Sequence, residues 1–208
     1  MKKLFLVLCF FLISTAANAQ LLNGYGIKLG MGITNHTWKF ASEDFEINWD
    51  YNTGMSIRAF ADFLDDSNYN IEGEIGYSQK GVKDEYFNMT VENPDPTAHK
   101  YANRLNYVSA AIMGKMKCNI GIFTPYLLLG PQFNYLVSKD VLPMLDVVYN
   151  RFKKNIWGYT AGAGSVIRIQ NLNLLLEYRF ERDFNNNMDV FPIDIKNYSH
   201  SVLMGIQF

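Results

Sequence analysis

Long hydrophobic runs are scarce in this chain of 208 residues: apart from Leu4 to Ile13, no segment is apolar enough to cross a bilayer as a helix, which takes about 20 residues. The first run is itself too short for that. There are two cysteines, Cys9 and Cys118, and only three histidines, so disulfide frameworks and histidine-rich metal sites have little to work with. No charge of one sign dominates, with 19 basic against 20 acidic residues, and nucleic acid is therefore not an expected partner. Prolines number six, while aromatic residues make up 15% of the chain and glycines number 15, a composition that suits strands and tight turns.

The N-terminus reads Met1-Lys2-Lys3, an apolar stretch, then Ala17-Asn18-Ala19 before Gln20. A charged start, a short apolar core and an A-x-A site form an export signal, so residues 1–19 are expected to be a cleavable signal peptide and residues 20–208 one domain. An N-terminal membrane anchor is the alternative. Cys9 sits inside the apolar stretch and not directly after the cleavage point, which argues against lipidation. Removing Lys2 and Lys3 from 19 basic residues leaves 17 against 20 acidic ones. It also leaves Cys118 alone, so an intrachain disulfide is excluded, and its place on a strand suggests packing.

Beyond the signal, apolar and small or polar residues alternate with the period of a strand. The first run sets Tyr25, Ile27, Leu29, Met31 and Ile33 against Gly26, Lys28, Gly30, Gly32 and Thr34. The pattern recurs over 51–63, 69–78, 105–117, 123–137, 157–168, 172–181 and 197–208, which makes eight strands. The fifth of these is apolar on both faces in its first half, and its facing rests on Gln132 and Asn134 opposing Phe133 and Tyr135. Connections 64–68, 118–122 and 169–171 are short, whereas 35–49, 82–104, 138–155 and 183–196 are long and polar. Strict alternation of short and long connections fits an all-β, eight-stranded antiparallel up-and-down transmembrane β-barrel, with short periplasmic turns and four long extracellular loops.

A soluble lipocalin-like barrel carries the same alternation with its apolar face turned inward. The opposite face separates the two. It holds Lys28, Arg58, Lys115, Lys117, Arg168 and Arg179 with Asp62, Glu72, Glu74, Glu177 and Glu181, a near-balanced set that suits a confined interior. Inside a narrow barrel these charges must pair, since an unpaired buried ion costs several kcal/mol. The apolar face is uncharged and carries tyrosines and a tryptophan near strand ends, as an aromatic girdle does. Lipid and lipopolysaccharide of the outer membrane are then the surroundings, and the terminal Phe208, last of an outward series, resembles the signature by which such barrels reach their insertion machinery.

Short segments also resemble a family. Gly26-Ile27-Lys28-Leu29-Gly30, Leu105-Asn106-Tyr107-Val108, Thr124-Pro125-Tyr126, Gly130-Pro131, Gly162-Ala163-Gly164 and Leu176-Glu177-Tyr178-Arg179 resemble the PorT-like outer-membrane β-barrel proteins of the Bacteroidetes. Ala110-Ala111 departs from that family's usual proline. The resemblance implies the barrel fold and an association with protein secretion.

Function is less legible. Eight strands leave an interior only wide enough for side chains, so an open pore is not expected. A lipid A modifying enzyme would need His and Ser on one face, but His200 has Ser199 and Ser201 as immediate neighbours, which face the other side; His36 and His99 fall in long connections. Acidic clusters Glu43-Asp44-x-Glu46 and Asp65-Asp66 lack the ligand spacing of a calcium loop. No catalytic, metal or cofactor constellation is read from the sequence. What is left is recognition through the long loops, with Trp38, Trp49, Tyr86, Phe87 and Tyr149 as candidate contacts.

Overall fold

The computed structural model describes residues 22–40, 46–48, 50–64, 66–89, 94–170, 172–188 and 193–208; the side chains at 40, 46–48, 84–89, 94–98, 144 and 193 also lie outside the description. The signal-peptide expectation for residues 1–19, Trp49 and the acids Glu43, Asp44 and Asp65 fall outside the described residues. So do the side chains of Tyr86, Phe87 and Glu46.

Alternating sequence has become one antiparallel sheet in which each strand pairs with its chain neighbour. The strands are β1 (Leu22–Phe40), β2 (Glu46–Asn48), β3 (Asp50–Phe63), β4 (Tyr69–Met89), β5 (Pro94–Lys117), β6 (Phe123–Asp140), β7 (Asn155–Ile169), β8 (Leu172–Asp183) and β9 (Ile193–Gln207). Short β2 prolongs β3 along β1, pairing Trp38 with Ile47 where β3 pairs Thr34 with Asn52. The barrel therefore has eight walls. It closes through β1 and β9 over the whole run from Gly26↔Gln207 to Phe40↔Ile193, and backbone bonds between Tyr25 and Phe208 in both directions finish the seam. Among the described residues closure gives each of the eight wall strands a partner on both sides, with a register shift between β3 and β4 at Tyr51–Ser56, and such pairing is the condition for a sheet to span a membrane.

Side chains sort by parity as the alternation requires. Outward positions such as Ile27, Leu29, Met31, Ile57, Ile75, Ile112, Leu127, Leu129, Leu176, Val202 and Met204 are exposed apolar residues, while Lys28, Arg58, Glu72, Glu74, Lys115, Glu177 and Arg179 are buried. A soluble protein inverts this order; only an apolar solvent outside makes it favourable. Tyr51, Tyr135, Trp157, Tyr178 and Tyr198 rim the extracellular end of the apolar band, and Tyr25, Tyr69 and Phe208 its periplasmic end.

Both kinds of connection are present, with two adjustments. Much of the length of the long ones is strand: β4 and β5 stay paired out to Met89↔Pro94, and β1 to Phe40. Connection 138–155 folds into a 3-10 turn (Pro143–Leu145) and a one-turn helix α1 (Asp146–Tyr149). Cys118 is not packed on a strand face: it is exposed in the short turn after β5, because β5 ends at Lys117.

Candidate functional site

Inward residues of β1, β3, β4, β5 and β8 meet in the middle of the barrel and form a single ion network. Lys28 Nζ reaches Glu72 Oε1 at 2.5 Å, Glu177 Oε2 at 2.9 Å and Glu74 Oε2 at 3.6 Å. Arg58 spans Glu74 Oε1 at 2.8 Å and Glu181 Oε1 at 2.5 Å. Arg179 pairs with Glu74 at 2.5 Å and with Glu177, while Lys115 joins Glu72 at 2.9 Å and Asp62 at 3.3 Å. Lys80 meets the far oxygen of Glu181 at 3.0 Å. Five cations thus face five carboxylates, and the set is electrically neutral, as a site cut off from solvent demands.

Neighbouring polar groups complete it. Tyr126 donates to Glu177 Oε2 at 2.8 Å, and Gln207 Nε2 donates to Asp62 Oδ2 at 2.8 Å. Tyr126 stands on β6, opposite Gly164 of β7, which in turn faces Glu177 of β8. Its ring crosses that glycine to reach the carboxylate, and a Cβ on Gly164 would lie 2.7 Å from the ring. Only glycine leaves the passage open. Lys115 Nζ sits 4.5 Å over the Tyr126 ring and Lys28 Nζ 4.6 Å over Phe60, so the ammonium groups gain cation–π attraction as well. Phe60, Ala111, Met113, Tyr126, Leu128, Val166 and Leu175 pack as a buried apolar cluster.

Towards the extracellular end a polar layer follows, in which Ser109 Oγ and Gln132 Nε2 both donate to Asn134 Oδ1 at 2.8 Å. Above it the mouth is stoppered by Trp38, Leu105, Tyr107, Tyr149, Phe152, Ile156, Met188 and Ile195. Tyr149 and Phe152 stack with centroids 4.8 Å apart, and both rings lie near His36, at 6.4 and 6.1 Å. Asp183 ties this stopper to the wall, accepting from Asn187 Nδ2 at 2.8 Å and Asn197 Nδ2 at 2.7 Å. Burial pushes the His36 imidazole down to about 3, and the Lys80 charge adds to the shift.

Of the residues expected in an interior network, nine are in it: Lys28, Arg58, Asp62, Glu72, Glu74, Lys115, Glu177, Arg179 and Glu181. Lys117 and Arg168 are corrections. They stand at the periplasmic mouth, where they help line a recess of about 170 Å³, and Arg168 is exposed there with Nη2 3.3 Å from Asn119 Oδ1. Both lie at strand ends, beyond the closed part of the lumen. Lys80 and Tyr126 belong to the site and were not singled out. Lys80 continues the inward series Glu72, Glu74, Gly76, Ser78 by one further step, a signal present in the sequence had the strand been followed past Ser78.

Two of the expected loop contacts need correcting. Trp38 and Tyr149 are buried in the stopper: Trp38 is an inward position of β1, which runs on to Phe40, and Tyr149 lies on α1 in the connection between β6 and β7. Tyr86 and Phe87 lie on the outer part of β4. His36 is on β1, not in a loop. His200 does face outward and bonds Tyr178 Oη through Nδ1 at 2.7 Å. Among the described residues, no group of three or more His, Cys, Asp or Glu is placed to hold a metal ion.

A closed antiparallel barrel that is apolar outside and ion-paired within is a transmembrane β-barrel of the outer-membrane kind. The chain belongs to the outer membrane protein beta-barrel domain family, whose profile matches residues 5–208, and it is an outer-membrane protein. No curated protein matches its sequence. Among solved structures it is similar to the outer membrane protein OprG from Pseudomonas aeruginosa, at 10% identity over 91% of this chain and 97% of that one, with a TM-score of 0.49. Neisserial surface protein A is similar at 12% identity over 89% and 99% of the two chains, TM-score 0.46. Ail, the attachment invasion locus protein of Yersinia pestis, crystallised with the heparin analogue sucrose octasulfate, is similar at 13% identity over 89% and 99%, TM-score 0.42.

Proposed function

We propose that this protein is a non-conducting, non-enzymatic outer-membrane component with a structural or interaction role, tied to protein secretion as its PorT-like segments imply. One observation carries the reading: the lumen is filled at two levels, by the neutral ion network and by the aromatic stopper. A solute crossing the barrel would have to break both. Residues 1–19 act as the export signal, Phe208 presents the chain to the insertion machinery, and no cofactor takes part.

The surface offered to a protein partner is the β4–β5 hairpin. Pairing of β3 with β4 stops at Asp50↔Lys83 and that of β5 with β6 at Arg104↔Asp140, yet β4 and β5 continue together to Met89↔Pro94. Above those stops, among the described residues, strand pairing continues only between β4 and β5, a two-stranded ribbon that carries Tyr86 and Phe87 and is tied at its base by Lys100 Nζ to Asp50 Oδ2 at 2.7 Å and by Tyr101 Oη to Asp140 Oδ1 at 2.9 Å. Conductance in a planar bilayer tests the reading: the purified protein is expected to give none, and stable, reproducible channels would overturn it.

A further inference from the structure

The outer wall is not evenly covered. Across β3, β1, β9 and β8 the outward side chains leave a trench of about 1180 Å³. Its floor includes the backbone at Gly30, Ser56 and Gly205, whose side-chain positions point into the lumen, and its sides include Met31, Met55 and Met204. All three methionines are largely exposed, and their unbranched thioethers adapt to whatever lies against them. Met31 and Val202 also line a second recess of about 370 Å³ further towards the extracellular side, where Thr53, Tyr178 and His200 take over. The two are continuous through those shared residues.

The apolar trench therefore ends in a polar group at the extracellular interface. His200 is bonded to Tyr178 through Nδ1 at 2.7 Å, which leaves Nε2 with no hydrogen bond among the described residues. One step further out on the same two strands, Arg182 stands opposite Tyr198. Arg182 is exposed and makes no ion pair among the described residues. A long apolar slot, then an imidazole and a hydroxyl, then a guanidinium, is the order of chemistry along an acylated, phosphorylated amphiphile.

We propose that this wall holds one lipid A molecule of the outer leaflet, an acyl chain lying in the trench, a polar linkage at His200 and a phosphate at Arg182. The position selects the lipid, because the polar end is in the extracellular half, where lipopolysaccharide is the resident lipid. A second copy of the chain fits less well. Two copies in one membrane share an orientation, so their two-fold axis runs along the membrane normal, and a contact through this wall would set the two Arg182 side chains against each other at one level. The binding deepens the proposed interaction role without depending on the lumen being closed.

Native mass spectrometry of the refolded protein, titrated with lipid A in detergent, tests it. The wild type is expected to retain one lipid A. Arg182→Gln should weaken that binding about tenfold, the loss of one charge-assisted hydrogen bond, and Met31→Trp, which fills the trench from an outward position, should abolish it. Arg104→Gln removes another exposed arginine, on β5 away from this wall, and should change nothing. Equal retention of phosphatidylglycerol, equal weakening by Arg104→Gln, or unaltered binding in Met31→Trp would overturn the proposal, as would a dimer in place of the lipid complex. Heat-modifiable mobility of each variant checks that it has folded.

Discussion

Replacing Arg179 by Met puts the ion network to its hardest test. The guanidinium is fully buried and binds carboxylates from two strands, Glu74 on β4 and Glu177 on its own β8. Methionine keeps much of the volume and removes the charge, leaving four cations against five carboxylates in a closed lumen. Breaking a buried ion pair by removing one partner costs about 3–5 kcal/mol. The lower end applies here: Glu74 keeps Arg58 at 2.8 Å, and Glu177 keeps Lys28 at 2.9 Å and the Tyr126 hydroxyl at 2.8 Å. About 3 kcal/mol of unfolding free energy should therefore be lost, read from urea titrations of the protein in lipid vesicles. Adding Glu177→Gln restores the balance of charge, so the double variant should lose less than the sum of the two single ones. A single-variant loss below about 1 kcal/mol, or strict additivity of the pair, would show that these charges are solvated and the lumen is open to water.

Further outcomes follow from other parts of the barrel. Because the stopper and the network block the lumen independently, Tyr149→Ala with Phe152→Ala should still give no bilayer conductance; channels in that variant would mean that the stopper alone seals the barrel. His36 has a folded-state value below its ordinary 6.5, so the unfolded mouth takes up the proton first and the stopper loses stability as pH falls through 6.5. Between pH 6.5 and 5 the loss should approach about 1.4 kcal/mol per unit, visible as falling hydrogen-exchange protection factors over 143–152, and His36→Phe should remove that dependence. Gly81 sits at φ +150° with the Asn103 carbonyl 1.9 Å from where a Cβ would be, so Gly81→Ala should cost about 1–3 kcal/mol, read in the same urea titrations. Deleting Phe208 removes both seam bonds to Tyr25 and should slow assembly in cells, measured as the heat-modifiable fraction.

Strands were legible where a membrane imposes two different environments on them. From Tyr25 to Ile33 or from Val108 to Met116, every second residue meets lipid and the others meet the lumen, so the period appears directly in residue type. Outside the lipid zone that contrast ends, and the continuation of β1 through His36 and Trp38, or of β4 beyond Ser78, carries no outward apolar mark. Lys80 and the burial of Trp38 were missed for this reason. β6 hid Tyr126 differently, because its first half is apolar on both sides and a lumen-filling Leu128 looks no different from a lipid-facing Leu127. Composition told that the interior charges must balance; it could not tell which pair, since Lys28 and Glu177 lie 149 positions apart and only the closed register brings them together.

Spin labels placed one at a time along β5 from Tyr107 to Lys117, with Cys118 replaced by Ser, would test the filled barrel most directly. Even-numbered positions should be accessible to oxygen dissolved in the lipid, and odd-numbered ones down to Lys115 should be immobile and closed both to oxygen and to a water-soluble relaxant. Access of the water-soluble relaxant to Ser109, Ala111 or Met113 would contradict the account, because it would mean that water, and not paired side chains, occupies the lumen.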